Sequence, residues 1–141
     1  MTKFKGEIMI FKILPFLLFV NLSVAQTQLN LPENEIMLEV TGNIAITNED
    51  EYAVFDEMMI SQLPQKIINT NNHVSESINE YKGVNFYDLL VLLEYSGTTV
   101  NVTAWDDYVV NIAIKDLKKY GVLLATHENG KRLTLNDKGP M

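Results

Sequence analysis

The chain of 141 residues contains no cysteine, and this absence limits how a chain of this size can be stabilised. The chain by itself can form no disulfide, no thiolate metal site and no cysteine nucleophile. Small exported domains are commonly reinforced by disulfides, so an exported domain without them depends on apolar burial. The length predicts one domain rather than two.

The N-terminal segment 1–25 has the pattern of a secretory signal peptide. A lysine-bearing stretch precedes an apolar run from Ile13 to Val20, which is shorter than a membrane-spanning helix. Small residues at Ser23 and Ala25 predict cleavage after Ala25. We therefore expect residues 26–141 to be a periplasmic domain with no membrane span after cleavage. An uncleaved membrane anchor is the alternative.

The formal net charge of −7 restricts the class of partner. Lysine and arginine are not clustered, and a protein that binds the phosphate backbone of nucleic acid needs such clusters. We expect no nucleic-acid partner. A neutral ligand or a basic partner fits this charge better.

Hydrophobic periodicity predicts an α+β domain that is mostly β, with hairpins and short helices. The strands predicted before the clearest helix are Glu35–Thr41, Tyr52–Phe55, Gln65–Thr70 and a short edge strand at Ile78–Lys82. A polar loop is predicted at Asn71–Ser77, between the last two of these strands. A helical turn at Glu57–Gln62 follows the N-cap residue Asp56.

The clearest helix is predicted from Phe86 to Tyr95. Its apolar residues Phe86, Leu89, Leu90 and Leu93 recur at helical spacing, and Asn85 can cap its N-terminus.

Two hairpins complete the prediction. The first joins Val100–Ala104 to Val110–Ile114 through the acidic turn Asp106-Asp107, and the second joins Val122–Thr126 to Arg132–Leu135 around Asn129-Gly130. Helices and hairpins together predict a small β-rich domain.

The two histidines predict no metal site. His73 and His127 are far apart, and neither has carboxylates at zinc-ligand spacing. We expect His127 to be a solvated turn residue. No serine lies in a glycine-flanked hydrolase turn, so the sequence offers no candidate for covalent catalysis.

The most unusual cluster is Trp105, Asp106, Asp107 and Tyr108, which contains the only tryptophan. Aromatic rings beside carboxylates at an exposed turn can stack on a flat heterocycle, while the carboxylates accept hydrogen bonds from its N–H groups. The alternative is a small local core in which Trp105 points inward.

Segments that include Phe55-Asp56-Glu57, Tyr81-Lys82-Gly83-Val84 and Asn129-Gly130-Lys131 occur in an order that resembles the sulfite-oxidase-like oxidoreductase molybdopterin-binding domain family. The resemblance implies the molybdopterin-binding fold of that family, with a mixed sheet, hairpins and short helices. Ala104 to Tyr108 is similar to the family motif Ala-x-Asp-Gly-Tyr, in which Asp107 would replace the glycine, or to Ala-x-Asn-Asp-Tyr, in which Asp106 would replace the amide. The other matching segments are Ser61-Gln62-Leu63-Pro64-Gln65, Asp88-Leu89-Leu90, Leu123-Leu124-Ala125 and Asp137-Lys138-Gly139-Pro140.

Two departures from the family bear on function. Its enzymes hold molybdenum through a cysteine thiolate, which this chain lacks. Family domains also continue beyond the Gly-Pro pair, so the domain could lack its final strand.

The resemblance is closest to small exported, cysteine-free members that look like pterin-binding sensors. It implies a non-catalytic module that binds a pterin without molybdenum and acts on the periplasmic domain of a membrane signalling protein. Trp105, Asp106, Asp107, Tyr108, Arg132 and Lys138 would contact the ligand. The alternatives are a protein that binds the whole molybdopterin cofactor and a truncated remnant without ligand.

Overall fold

The computed structural model describes residues 28–72 and 75–134. In these ranges the protein is an α+β structure made mostly of strands, as the sequence predicts. The predicted signal peptide, Lys138 and the other C-terminal residues of 135–141 lie outside the described residues. The elements are β1 (Ile36–Thr41), β2 (Tyr52–Asp56), α1 (Glu57–Gln62), β3 (Gln65–Asn72), β4 (Ser75–Asn85), α2 (Phe86–Leu92), β5 (Thr99–Thr103), β6 (Val109–Ala113), α3 (Ile114–Tyr120), β7 (Leu123–Glu128) and β8 (Lys131–Arg132).

The described strands form three small antiparallel sheets. Strands β1 and β2 pair, strands β5 and β6 pair, and a four-stranded sheet has the order β3-β4-β7-β8. Every pairing between these strands is antiparallel, so the mixed sheet expected from the family resemblance is wrong for the described part of the chain. No helix in these ranges is long and apolar enough to cross a membrane.

Strand β4 is longer than the sequence predicts, and it is not an edge strand. The expected edge strand of five residues is part of an eleven-residue strand that pairs with β3 on one side and β7 on the other. The segment predicted as a polar loop contributes to both β3 and β4. Asparagine and serine have low strand propensity, but backbone pairing in this hairpin overrides that preference.

Helix α2 begins where the sequence predicts and ends earlier. The side chain of Asn85 accepts a hydrogen bond from the backbone N–H of Asp88 at 3.0 Å, which confirms the predicted cap. The helix ends at Leu92, and Glu94 has a φ of +51° that is incompatible with continuing it to Tyr95.

Helix α3 is absent from the sequence prediction, which assigned Ile114 to a strand. Ile114 and Leu117 are buried one helical turn apart, and Gly121 ends the helix in the left-handed conformation. Val110, Ile112 and Ile114 alternate as the apolar residues of a strand do, although Ile114 is the first residue of the helix. The alternation therefore does not show where the strand ends and the helix begins.

Helix α2 connects two apolar clusters. Leu89 and Leu93 pack in the first cluster, and Phe86 and Leu90 in the second, so the predicted apolar face is confirmed. The remaining buried members are Ala53, Phe55, Ile60 and Val84 in the first cluster and Ile114 and Leu117 in the second. Partly buried Leu124 of β7 contacts both clusters.

Strands β4 and β7 approach closely at Gly83. A β-carbon at this position would overlap the carbonyl oxygen of Leu124 and lie 2.9 Å from the α-carbon of Ala125. The register shifts at the same place, because Lys82 pairs with His127 whereas Gly83 pairs with Ala125. Thr126 is therefore the extra residue of a β-bulge. The contact requires a residue without a side chain.

We predict that Gly83→Ala lowers the free energy of unfolding by about 3 kcal/mol, since the strands must separate to admit the methyl group. Urea denaturation measures the change. Glu80→Ala on the exposed part of the same strand is the control and is expected to change stability by less than about 0.5 kcal/mol. Equal stability of the two variants would show that the close approach is wrong.

Asp56 fixes the N-terminal segment to helix α1. One carboxylate oxygen accepts hydrogen bonds from the backbone N–H groups of Glu33 and Asn34 at 2.9 and 3.0 Å. The other accepts from the N–H of Met59 at 2.9 Å. The Met59 bond is the largest influence that lowers the pKa of Asp56 below its ordinary value of 3.8, whereas burial opposes it.

This lowered pKa makes part of the stability depend on pH. The ionised Asp56 stabilises the fold above the unfolded-state pKa near 3.8, and that contribution is lost as the pH falls through the lower folded-state pKa. We predict that Asp56→Asn, which can still cap the helix, is less stable than the parent at pH 7. The difference in urea midpoint is expected to shrink below about pH 4. A difference independent of pH would contradict this role.

Candidate functional site

The turn between β5 and β6 is held by backbone hydrogen bonds. The N–H of Ala104 donates to the carbonyl of Tyr108 at 2.9 Å, and the N–H of Asp107 donates to the carbonyl of Ala104 at 3.1 Å. The side chain of Asp106 accepts from the N–H of Tyr108 at 3.3 Å. We call residues 104–108 the hairpin tip. Its backbone is fixed without help from the aromatic rings.

The aromatic residues of the tip face solvent. Trp105 is 72% exposed and Tyr108 is 67% exposed, so Trp105 does not form the small local core that was the alternative. Large aromatic residues at such exposure are available to contact a ligand or a partner. Asp106 and Asp107 are exposed beside them.

Asp107 has a left-handed backbone conformation with a φ of +62°. Glycine adopts this conformation readily, and aspartate is one of the few other residues that tolerate it. The backbone at this position of the turn therefore favours glycine, asparagine or aspartate.

The six predicted ligand residues do not share one element. Four of them form the hairpin tip, whereas Arg132 lies on β8 in a different sheet. The Arg132 Nε atom pairs with the carboxylate of Glu57 at 2.5 Å. Lys138 lies outside the described residues. Of the six residues, the structure thus places four in the hairpin tip and Arg132 in a different sheet.

A second feature is a cleft that the sequence did not predict as a site. It has a volume of about 70 Å³ and lies between α1 and strands β1, β3, β4 and β7. The lining residues are Met37, Glu57, Ile60, Ser61, Gln65, Lys82, Thr126 and His127. We call it the α1 cleft.

His127 is not the solvated turn residue that the sequence predicts. It belongs to strand β7, is half-buried and lines the α1 cleft. The turn contains only Asn129 and Gly130, whose φ angles of +50° and +77° suit a two-residue hairpin turn. The Asn-Gly pair in the sequence indicated this shorter turn, which would have placed His127 in the strand.

The bulge explains why His127 faces the cleft. Successive residues of a regular strand point to opposite faces, yet Thr126 and His127 both line the cleft. The extra residue at Thr126 changes the alternation and turns both side chains to one side. The sequence contains no signal for this shift except Gly83.

Comparisons with known proteins do not identify a family. No family model matches the chain, and no curated protein matches it. The sulfite-oxidase-like resemblance therefore stays a prediction from motifs.

The conformation of Asp107 leads to a prediction about the hairpin tip. We expect Asp107→Gly to keep or raise stability and Asp107→Ala to lower it by about 1 kcal/mol, because alanine is disfavoured at this φ. Chemical denaturation of both variants measures the difference. If alanine and glycine were equally stable at this position, Asp107 would not be left-handed in solution.

Proposed function

We propose that this protein is a non-catalytic periplasmic module that binds a pterin and passes ligand status to the periplasmic domain of a membrane signalling protein. The proposal includes the sulfite-oxidase-like molybdopterin-binding fold for residues 26–141. It starts from the ordered motif resemblance. The described architecture agrees with it as an α+β fold made mostly of strands, while the described sheets are antiparallel rather than mixed.

The exposed aromatic pair of the hairpin tip carries this proposal. Trp105 and Tyr108 offer two ring faces on a turn whose backbone is already fixed. A flat bicyclic ring can stack on such faces, and a fixed turn lowers the ordering cost of binding. The exposed carboxylate of Asp107 can accept hydrogen bonds from the amino and ring N–H groups of a pterin.

Arg132 and Lys138 have a smaller part in this proposal than the resemblance implies. The guanidinium of Arg132 is already paired with Glu57. Lys138 lies outside the described residues. The proposed stacking surface therefore consists of Trp105 and Tyr108, with Asp106 holding the turn and Asp107 facing the ligand.

The proposal contains no molybdenum chemistry. A chain without cysteine cannot supply the thiolate that holds molybdenum in enzymes of the resembled family. Metal analysis of purified protein tests this part. A near-stoichiometric amount of molybdenum would favour the alternative, a protein that binds the whole molybdopterin cofactor.

We predict that reduced or oxidised pterins quench the fluorescence of the protein saturably. Trp105 is the only tryptophan, so its emission reports on the hairpin tip alone. Tyr108→Ala keeps the fluorophore and is expected to weaken binding about tenfold, corresponding to the loss of one aromatic contact of about 1.4 kcal/mol.

The matched control is Tyr120→Ala. Tyr120 is 68% exposed, similar to Tyr108, but it lies on α3. We expect this variant to bind as the parent does. The pterin proposal is wrong if neither reduced nor oxidised pterins give a saturable signal, and the tip is the wrong site if Tyr108→Ala binds normally.

A further inference from the structure

Two polar side chains of the α1 cleft use all their hydrogen-bond donors within the protein. The hydroxyl of Ser61 donates to the carbonyl of Met58 at 2.7 Å. The side-chain amide nitrogen of Gln65 donates to the carbonyls of Ile60 and Leu63 at 2.8 and 2.9 Å. A hydroxyl carries one hydrogen and an amide nitrogen carries two, so only the oxygen atoms can still bond. Ser61 Oγ and Gln65 Oε1 therefore act as acceptors.

The hydrogen bonds of Thr126 assign a tautomer to His127. The hydroxyl of Thr126 donates its single hydrogen to the carbonyl of Lys82 at 3.3 Å, and its oxygen lies 2.9 Å from His127 Nδ1. A carbonyl can only accept, whereas Nδ1 can also donate, so both contacts are hydrogen bonds when Thr126 donates to Lys82 and accepts from Nδ1. We assign the hydrogen of the neutral ring to Nδ1 on this ground. The lone pair of neutral His127 is on Nε2. His127 is a third acceptor among residues that line the cleft.

The charges around the cleft disfavour a cation. The carboxylate of Glu57 is neutralised by its ion pair with Arg132 on the neighbouring strand. Lys82 also lines the cleft and adds a positive charge. An ammonium or guanidinium ligand would meet this charge without a free carboxylate, whereas neutral N–H groups would not.

The remaining lining is apolar and suits a flat ligand. Met37 and the buried Ile60 contribute the apolar part of the wall. A volume of about 70 Å³ is half of the roughly 150 Å³ that accommodates benzene. The cleft can therefore enclose one edge of a six-membered ring, leaving the rest of the ligand in solvent.

We infer that the α1 cleft binds the N–H edge of a small neutral heterocycle, with Ser61 Oγ, Gln65 Oε1 and His127 Nε2 as the acceptors. Thr126 is a positioning residue because it orients the ring of His127 and fixes its tautomer. This site lies apart from the hairpin tip in sequence and sheet, so the inference does not depend on pterin binding at Trp105.

The test uses isocytosine, a neutral ring with adjacent amino and ring N–H groups, and observes the ring nitrogens of His127 by ¹⁵N NMR. With the ring of His127 neutral, the free protein is expected to show a protonated Nδ1 and an unprotonated Nε2. Isocytosine is expected to shift the Nε2 signal saturably. Two matched probes, 2,4-dimethoxypyrimidine without N–H donors and methylammonium as a cation, are expected to leave it unchanged.

Two variants separate recognition from packing. His127→Phe keeps a flat ring but removes the acceptor, and it is expected to weaken isocytosine binding about tenfold. Thr126→Val removes the hydroxyl at similar volume. It is expected to place hydrogen on Nε2 in part of the molecules and to weaken binding less than His127→Phe. If either variant fails to fold, the ¹⁵N measurement on the parent protein still decides.

The inference is overturned by a protonated Nε2 in the free neutral protein, by no saturable shift with isocytosine, or by equal binding of dimethoxypyrimidine or methylammonium. The pterin proposal fails separately, through Trp105 fluorescence. Isocytosine binding without pterin quenching would support the cleft alone, and quenching without an isocytosine shift would overturn the cleft alone.

Discussion

The close contact between β4 and β7 at Gly83 organises much of the described structure. It brings the backbone of β7 against β4 where only glycine fits, and the register shift beside it creates the bulge at Thr126. The contact brings Leu124 against both apolar clusters and turns His127 toward the α1 cleft. In a chain without disulfides, this apolar packing and strand pairing provide the stability that covalent links would otherwise supply.

The sequence predicted local structure better than tertiary arrangement. The cap at Asn85 and the apolar face of α2 follow from helical spacing, and the structure confirms both. The predicted length of strand β4 is too short because its polar residues lack the usual apolar alternation. In the structure, pairing with a strand on each side stabilises it. Helix α3 was missed because Ile114 fits a strand as well as a helix. Periodicity alone does not contain these long-range pairings.

The hairpin tip can be predicted from the amino-acid sequence, whereas the α1 cleft cannot. The hairpin tip is contiguous, so the cluster from Trp105 to Tyr108 is visible in the amino-acid sequence itself. The cleft gathers Ser61, Gln65 and His127 from three elements, and its acceptor character depends on where each hydrogen is donated. Such a property belongs to the folded hydrogen-bond network and has no local sequence signal.

We propose above all that the aromatic residues of the hairpin tip contact the ligand. The most direct measurement is a map of backbone amide chemical shifts by ¹H–¹⁵N NMR during titration with a pterin. We predict saturable shifts concentrated in residues 104–108, with smaller changes along β5 and β6. Saturable shifts confined to other elements, or none at all up to the solubility limit of the pterin, would contradict this proposal.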